Sequence, residues 1–164
     1  MAATKEYFKN YTYDVLFCLM LKFWPDPAKL WVTRAAAWPL KEQREAITQQ
    51  GCHIVPLTSS TQGGDNLWRY SFSLAEKQLM CSLGNGQRRS YYLFKVFFYR
   101  YIKCIGEQKE RNRRLTHHLH SYLFKTTMLW VCEKYPRYHK LWRKENFLDS
   151  IYVLLETVED FFHE

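Results

Sequence analysis

Glycine and proline are scarce, at 6 and 5 of 164 residues. So few obligatory turns argue against a many-stranded sandwich and for long helices. Cysteine is sparse too. Cys18, Cys52, Cys81, Cys104 and Cys132 are odd in number and no two stand at CxxC spacing, which supports neither a zinc knuckle nor a thioredoxin-like motif. Most lie in apolar strings such as Leu16-Phe17-Cys18-Leu19 and Trp130-Val131-Cys132, where a thiol behaves as a small hydrophobe. A reducing, intracellular and cytoplasmic setting is expected. Long apolar runs are missing: Val15 to Leu21 is far too short for a bilayer, and Asp14 and Lys22 bound it with no small-residue cleavage site following. Neither a membrane span nor secretion is expected. GxxxxGKS/T, GxGxxG, HExxH and GxSxG are all absent, which removes the simplest enzyme assignments. His117, His118 and His120 are close in sequence, but adjacent helical residues diverge by about 100 degrees and cannot share one metal. Gly63-Gly64-Asp65 has no second acid two positions on and reads as a plain turn.

Acidic residues are outnumbered, 16 against 24 Lys and Arg, for a formal charge of +8. That balance favours polyanions such as nucleotides, nucleic acids and anionic membranes. The length is that of about one domain and needs no disulfide or metal staple. Hydrophobic residues make up 47% and aromatics 18%, so the chain is globular with a core of large flat side chains.

Periodicity predicts the elements. Tyr11 to Trp24 reads as a buried strand, with Asp14 its one anomaly, stopped by a turn at Trp24-Pro25-Asp26-Pro27. Trp38-Pro39 opens a polar helix through Gln50 that Gly51 ends. His53 to Leu57 and Leu67 to Phe72 read as strands, with a loop over Thr58 to Asn66 between them. Ser73 and Glu76 have the spacing of a capping box. Helices follow over Gln87 to Ile105, with a stripe of Tyr91, Phe94, Phe98, Tyr101 and Ile105, and over Leu119 to Tyr135, with a face including Tyr122, Thr126, Leu129 and Trp130. A last helix runs from about Glu145 to Phe162, presenting Leu148, Ile151, Tyr152, Leu155, Val158 and Phe162 on one side. Gly106 to Thr116 reads as an exposed basic connector.

The string Trp68-Arg69-Tyr70-Ser71-Phe72-Ser73-Leu74-Ala75-Glu76, followed later by Ser121-Tyr122-Leu123-Phe124-Lys125-Thr126, resembles the paired signatures of the Mab-21 family. That family includes cyclic GMP-AMP synthase. Asp14 in its strand, Trp38-Pro39 and Cys52-His53-Ile54-Val55-Pro56 are similar too, so the likeness covers nearly the whole chain. The resemblance implies an α+β nucleotidyltransferase: a mixed-sheet lobe with three metal-binding carboxylates, then a dominant helical lobe. Residues 1–72 would form the remnant of the sheet lobe and residues 73–164 the helical lobe. Asp14 would be the third carboxylate, catalytic and metal-binding. The other two should lie upstream, where only Met1 to Tyr13 stand. The expectation is therefore a C-terminal part of the domain, inactive alone because one carboxylate cannot hold two cations. Mg2+ or Mn2+ enters only if the upstream part is present, and no zinc is expected, since the His and Cys cluster of the synthase is missing.

Carried over by position, Arg69 and Ser71 resemble residues that contact phosphate or base, Lys95 the lysine that meets the triphosphate, and Ser121 and Tyr122 the pair that binds phosphate and stacks on a base. Four alternatives stay open: Tyr122 packing in the core, Lys95 snorkelling to water, Arg69 pairing with Glu76, and Asp14 being no more than a strand-start residue facing solvent. Arg88, Arg89, Arg111, Arg113 and Arg114 form the candidate surface for double-stranded nucleic acid. The expected function is nucleotide or nucleic-acid binding, with ATP- and GTP-type partners. Two alternatives are a piece of an active enzyme making cyclic dinucleotides from ATP and GTP, and an interaction module with a vestigial clamp. An unpaired sheet edge predicts self-association.

Overall fold

A computed structural model describes residues 17–34, 37–56, 67–106 and 121–163. The elements are β1 (Leu19–Leu21), α1 (Asp26–Thr33), α2 (Lys41–Gln49), β2 (Cys52–Pro56), β3 (Trp68–Ser71), α3 (Ser73–Ser82), α4 (Asn85–Gly106), α5 (Ser121–Lys134), a 3-10 turn (Lys140–Trp142) and α6 (Phe147–His163). The class is α+β with a dominant helical part. The three strands run in the order β1-β2-β3, and both pairings are antiparallel, where a mixed sheet was expected. Asp14, most of the expected first strand, the loop over Thr58 to Asn66 and the connector arginines Arg111, Arg113 and Arg114 lie outside the described residues.

Two local expectations need correction. The prolines after Trp24 do not end in a turn: Pro25 caps α1 with an extended backbone and Pro27 lies in its first turn, where no N–H is needed. Ser73 does not cap α3. Phe72 holds the N-cap position, so Ser73 is the first helical residue and Glu76 falls one place beyond the reach of a capping box. Its backbone N–H bonds Phe72 O at 2.9 Å, and its carboxylate is left free to act elsewhere.

Antiparallel register places Arg69 opposite Val55 and Ser71 opposite His53, so these four share one face of the sheet. Gly51, at φ 78, is the turn into β2. A Cβ there would lie 1.9 Å from Leu21 O, so only glycine lets β1 and β2 pair this closely.

The helical core is aromatic. Phe94, Phe124, Met128 and Leu154 are fully buried, and Phe124 sits edge-on to Phe94 and Phe98 at 5.4 and 4.9 Å, a geometry that suits ring quadrupoles. Ser90 Oγ and Ser150 Oγ, both buried, meet at 2.7 Å and tie α4 to α6. Gly86 lets the backbone of Trp142 approach: a Cβ there would stand 2.2 Å from Trp142 O. Among the described residues no helix is long and apolar enough to cross a membrane.

Candidate functional site

A cleft of about 210 Å3 opens where α1, α3 and α5 converge. Its floor begins with Trp24, which is buried and whose indole N–H donates to Gly51 O at 2.9 Å. Trp31, one helical turn pair further on, stacks on Trp24 with centroids 5.4 Å apart and planes 20° off parallel, and Phe72 tilts against Trp24 from the other side at 4.7 Å. Residues on either side of the Pro25-Asp26-Pro27 helix start are thus locked face to face. The second wall is α5, where Tyr122, Thr126, Leu129, Trp130 and Glu133 recur at helical spacing on one face.

Charges at the rim come in two pairs. Glu133 Oε1 accepts from Trp31 Nε1 at 3.1 Å and from Arg34 Nη2 at 2.6 Å, while the Arg34 guanidinium lies over the Trp130 ring at 4.8 Å. This joins the end of α1 to α5. On the other side Lys125 Nζ donates to Glu76 Oε2 at 2.7 Å and stands 5.8 Å from the Tyr122 ring centre. Both cations therefore have a carboxylate partner, and the open surface of the cleft is aromatic. Its volume is below the roughly 300–1,000 Å3 of sites that enclose drug-sized ligands. One ring system fits, with the remainder of any ligand outside.

Of the residues expected to act, Tyr122 lines this cleft and is 59% exposed, so it is not a core residue. Arg69 is exposed on β3 and does not pair with Glu76, whose partner is Lys125. Ser71 is half-buried and immediately precedes the cleft residue Phe72, and Ser121 opens α5 one position before Tyr122. Lys95 is not among the lining residues; its Nζ stands over the Tyr91 ring at 5.4 Å. Burial pushes the Tyr91 hydroxyl above its ordinary pKa, with smaller contributions from Tyr99 and Tyr92. Arg88 Nη2 donates to Cys81 O at 2.7 Å, and the Arg89 guanidinium lies over Phe147 at 5.2 Å with Nε and Nη2 buried. The arginine pair is thus turned toward its own fold at those atoms.

Sequence reasoning missed Trp24, Trp31, Arg34 and Glu133. Glu133 had a readable signal, since it extends the Tyr122, Thr126, Leu129, Trp130 stripe by one turn. Among the described residues no group of three His, Cys, Asp or Glu could hold a metal ion.

Two family models match the chain. The Mab-21 protein nucleotidyltransferase domain matches residues 2–82 and the Mab-21 protein HhH/H2TH-like domain matches residues 95–164. Trp24, Trp31, Phe72 and Glu76 fall in the first match; Tyr122, Lys125, Trp130 and Glu133 fall in the second. The cleft is therefore built by both.

Proposed function

The chain belongs to the Mab-21 family, and on that premise we propose that the cleft binds the base of an ATP- or GTP-class nucleotide against Tyr122. The observation that carries this reading is the exposed Tyr122 ring at the mouth of an aromatic cleft sized for one ring system. Stacking on such a ring contributes about 1–3 kcal/mol per base. The carboxylates of Glu76 and Glu133 are acceptors for an exocyclic amine, and neither needs a new charge to serve. Phosphates extend out of the cleft toward Ser71 and Arg69, on the strand that runs into Phe72.

The family implies divalent metal. Asp14 lies outside the described residues, and the described side chains do not assemble a metal centre. The proposal is accordingly one of binding and includes no transfer step. Self-association through β1 and β3, the outer strands of the sheet among the described residues, whose Leu19, Met20, Trp68 and Tyr70 are exposed, is proposed beside it.

Titration calorimetry of the chain with ATP and GTP, with and without Mg2+, tests the binding. Tyr122→Ala should weaken affinity by about 5- to 150-fold, the range that 1–3 kcal/mol implies. Arg69→Ala should weaken ATP more than adenosine. No heat with the parent chain, or an affinity indifferent to Tyr122→Ala, would overturn the proposal.

A further inference from the structure

Two helices carry a further, largely apolar stripe at the edge of the core, with Ile151 and Leu155 packed against the core and Leu93, Val96, Phe97, Leu148 and Tyr152 exposed. On α4, Leu93, Val96, Phe97 and Arg100 stand at i, i+3, i+4 and i+7, and on α6, Leu148, Ile151, Tyr152 and Leu155 repeat that spacing. With Phe147 they line a groove of about 670 Å3. Leu148 is 78% exposed and Tyr152 67%. Behind the stripes, the buried contact between Ser90 and Ser150 holds the two helices together, so the walls have a fixed separation.

The spacing selects the kind of occupant. Rows at i, i+3, i+4 and i+7 on both walls offer holes to the knobs of a third helix, whereas an extended segment would need period-two pockets. The charge selects its chemistry. Arg100 lines one end of the groove. Arg89, one turn before Leu93, lies over the lining residue Phe147 with its Nε and Nη2 buried, so it faces its own fold at those atoms and adds only positive potential behind the groove. Neither arginine has a salt-bridge partner among the described residues. An acidic helix meets attraction at Arg100.

We propose that the groove between α4 and α6 docks an amphipathic helix of a partner protein, its apolar seam on the two stripes and a carboxylate facing Arg100. The surface lies on α4 and α6, and the cleft is built on α1, α3 and α5, so the two activities are separable by mutation.

The probe is a synthetic helix of about 18 residues with a leucine seam at i, i+3, i+4 and i+7 and a glutamate placed to meet Arg100. Its twin carries lysine in place of that glutamate. Fluorescence anisotropy with the full chain should show the acidic peptide binding at least about tenfold tighter. Val96→Glu and Tyr152→Glu, both at exposed positions, should each cost at least about tenfold while leaving the thermal unfolding profile in place. Arg100→Glu should reverse the preference toward the lysine peptide. Equal binding of both peptides, no binding, or indifference to Val96→Glu would overturn the proposal. So would a dimer seen by light scattering and dissolved by Tyr152→Glu, which would give the groove to a second copy.

Discussion

The Lys125 ammonium is held 2.7 Å from Glu76 and hangs 5.8 Å from the Tyr122 ring centre, so one cation joins α3 to α5 and steadies the aromatic mouth of the cleft. Glu76 is 16% exposed and Lys125 34%. Water screens the pair only in part, and its coupling should be about 1 kcal/mol, at the upper edge of the range for exposed pairs. A double-mutant cycle of Glu76→Gln and Lys125→Met, read by denaturant unfolding, should return that coupling. Additive single effects would show that the two charges act independently.

Gly51→Ala should be among the most damaging small substitutions. The left-handed backbone alone costs about 1–2 kcal/mol for alanine, and its Cβ would collide with Leu21 O, which belongs to the backbone and cannot swing aside. A total near 3 kcal/mol would lower the melting temperature by about 6–12 °C for a chain of this size. A loss under a degree would mean that β1 does not press on this turn.

Burial pushes the Cys132 thiol well above its ordinary pKa, only partly offset by the hydrogen bond from Gln87 Nε2 at 3.1 Å, and burial raises Cys52 in the same direction. The folded state therefore holds these protons more tightly than the unfolded one. The contribution is complete below the unfolded thiol's pKa, near 9, and is lost as pH rises beyond it. Stability should fall by up to about 1.4 kcal/mol per pH unit for each such thiol, and Cys132→Ala should flatten the slope relative to the parent. Under native conditions a thiol reagent should modify the exposed Cys18 and Cys81 quickly, and Cys52 and Cys132 only on unfolding.

Much of the helical part was legible from spacing. The α4 periodicity correctly marked Phe94 for the core, because a residue recurring every three or four positions returns to one face. That logic weakens where a helix is apolar on two faces. Leu148 and Tyr152 belong to the α6 stripe read from sequence, yet they line an open groove, while Leu154 and Val158 are buried. Periodicity finds a stripe and is silent on what covers it. The prolines after Trp24 misled for another reason. Pro25 and Pro27 serve equally in a turn or a helix start, and here they start the helix whose Trp31 stacks on Trp24. In the site, Tyr122 was visible through its motif, but Glu133 meets Trp31 and Arg34 across a sequence separation of about a hundred residues, a pairing that no local pattern encodes.

The sharpest test of the cleft as a base-binding site uses its own tryptophans. In a proton–nitrogen NMR spectrum the six indole N–H signals can be assigned by single Trp→Phe substitutions, and ATP with Mg2+ titrated in. Trp31 and Trp130, which line the cleft, should shift in step with occupancy, and buried Trp142 in the 3-10 turn should stay in place. Shifts at Trp68 with Trp31 and Trp130 unmoved, or none at saturating nucleotide, would mean that the cleft does not receive the base.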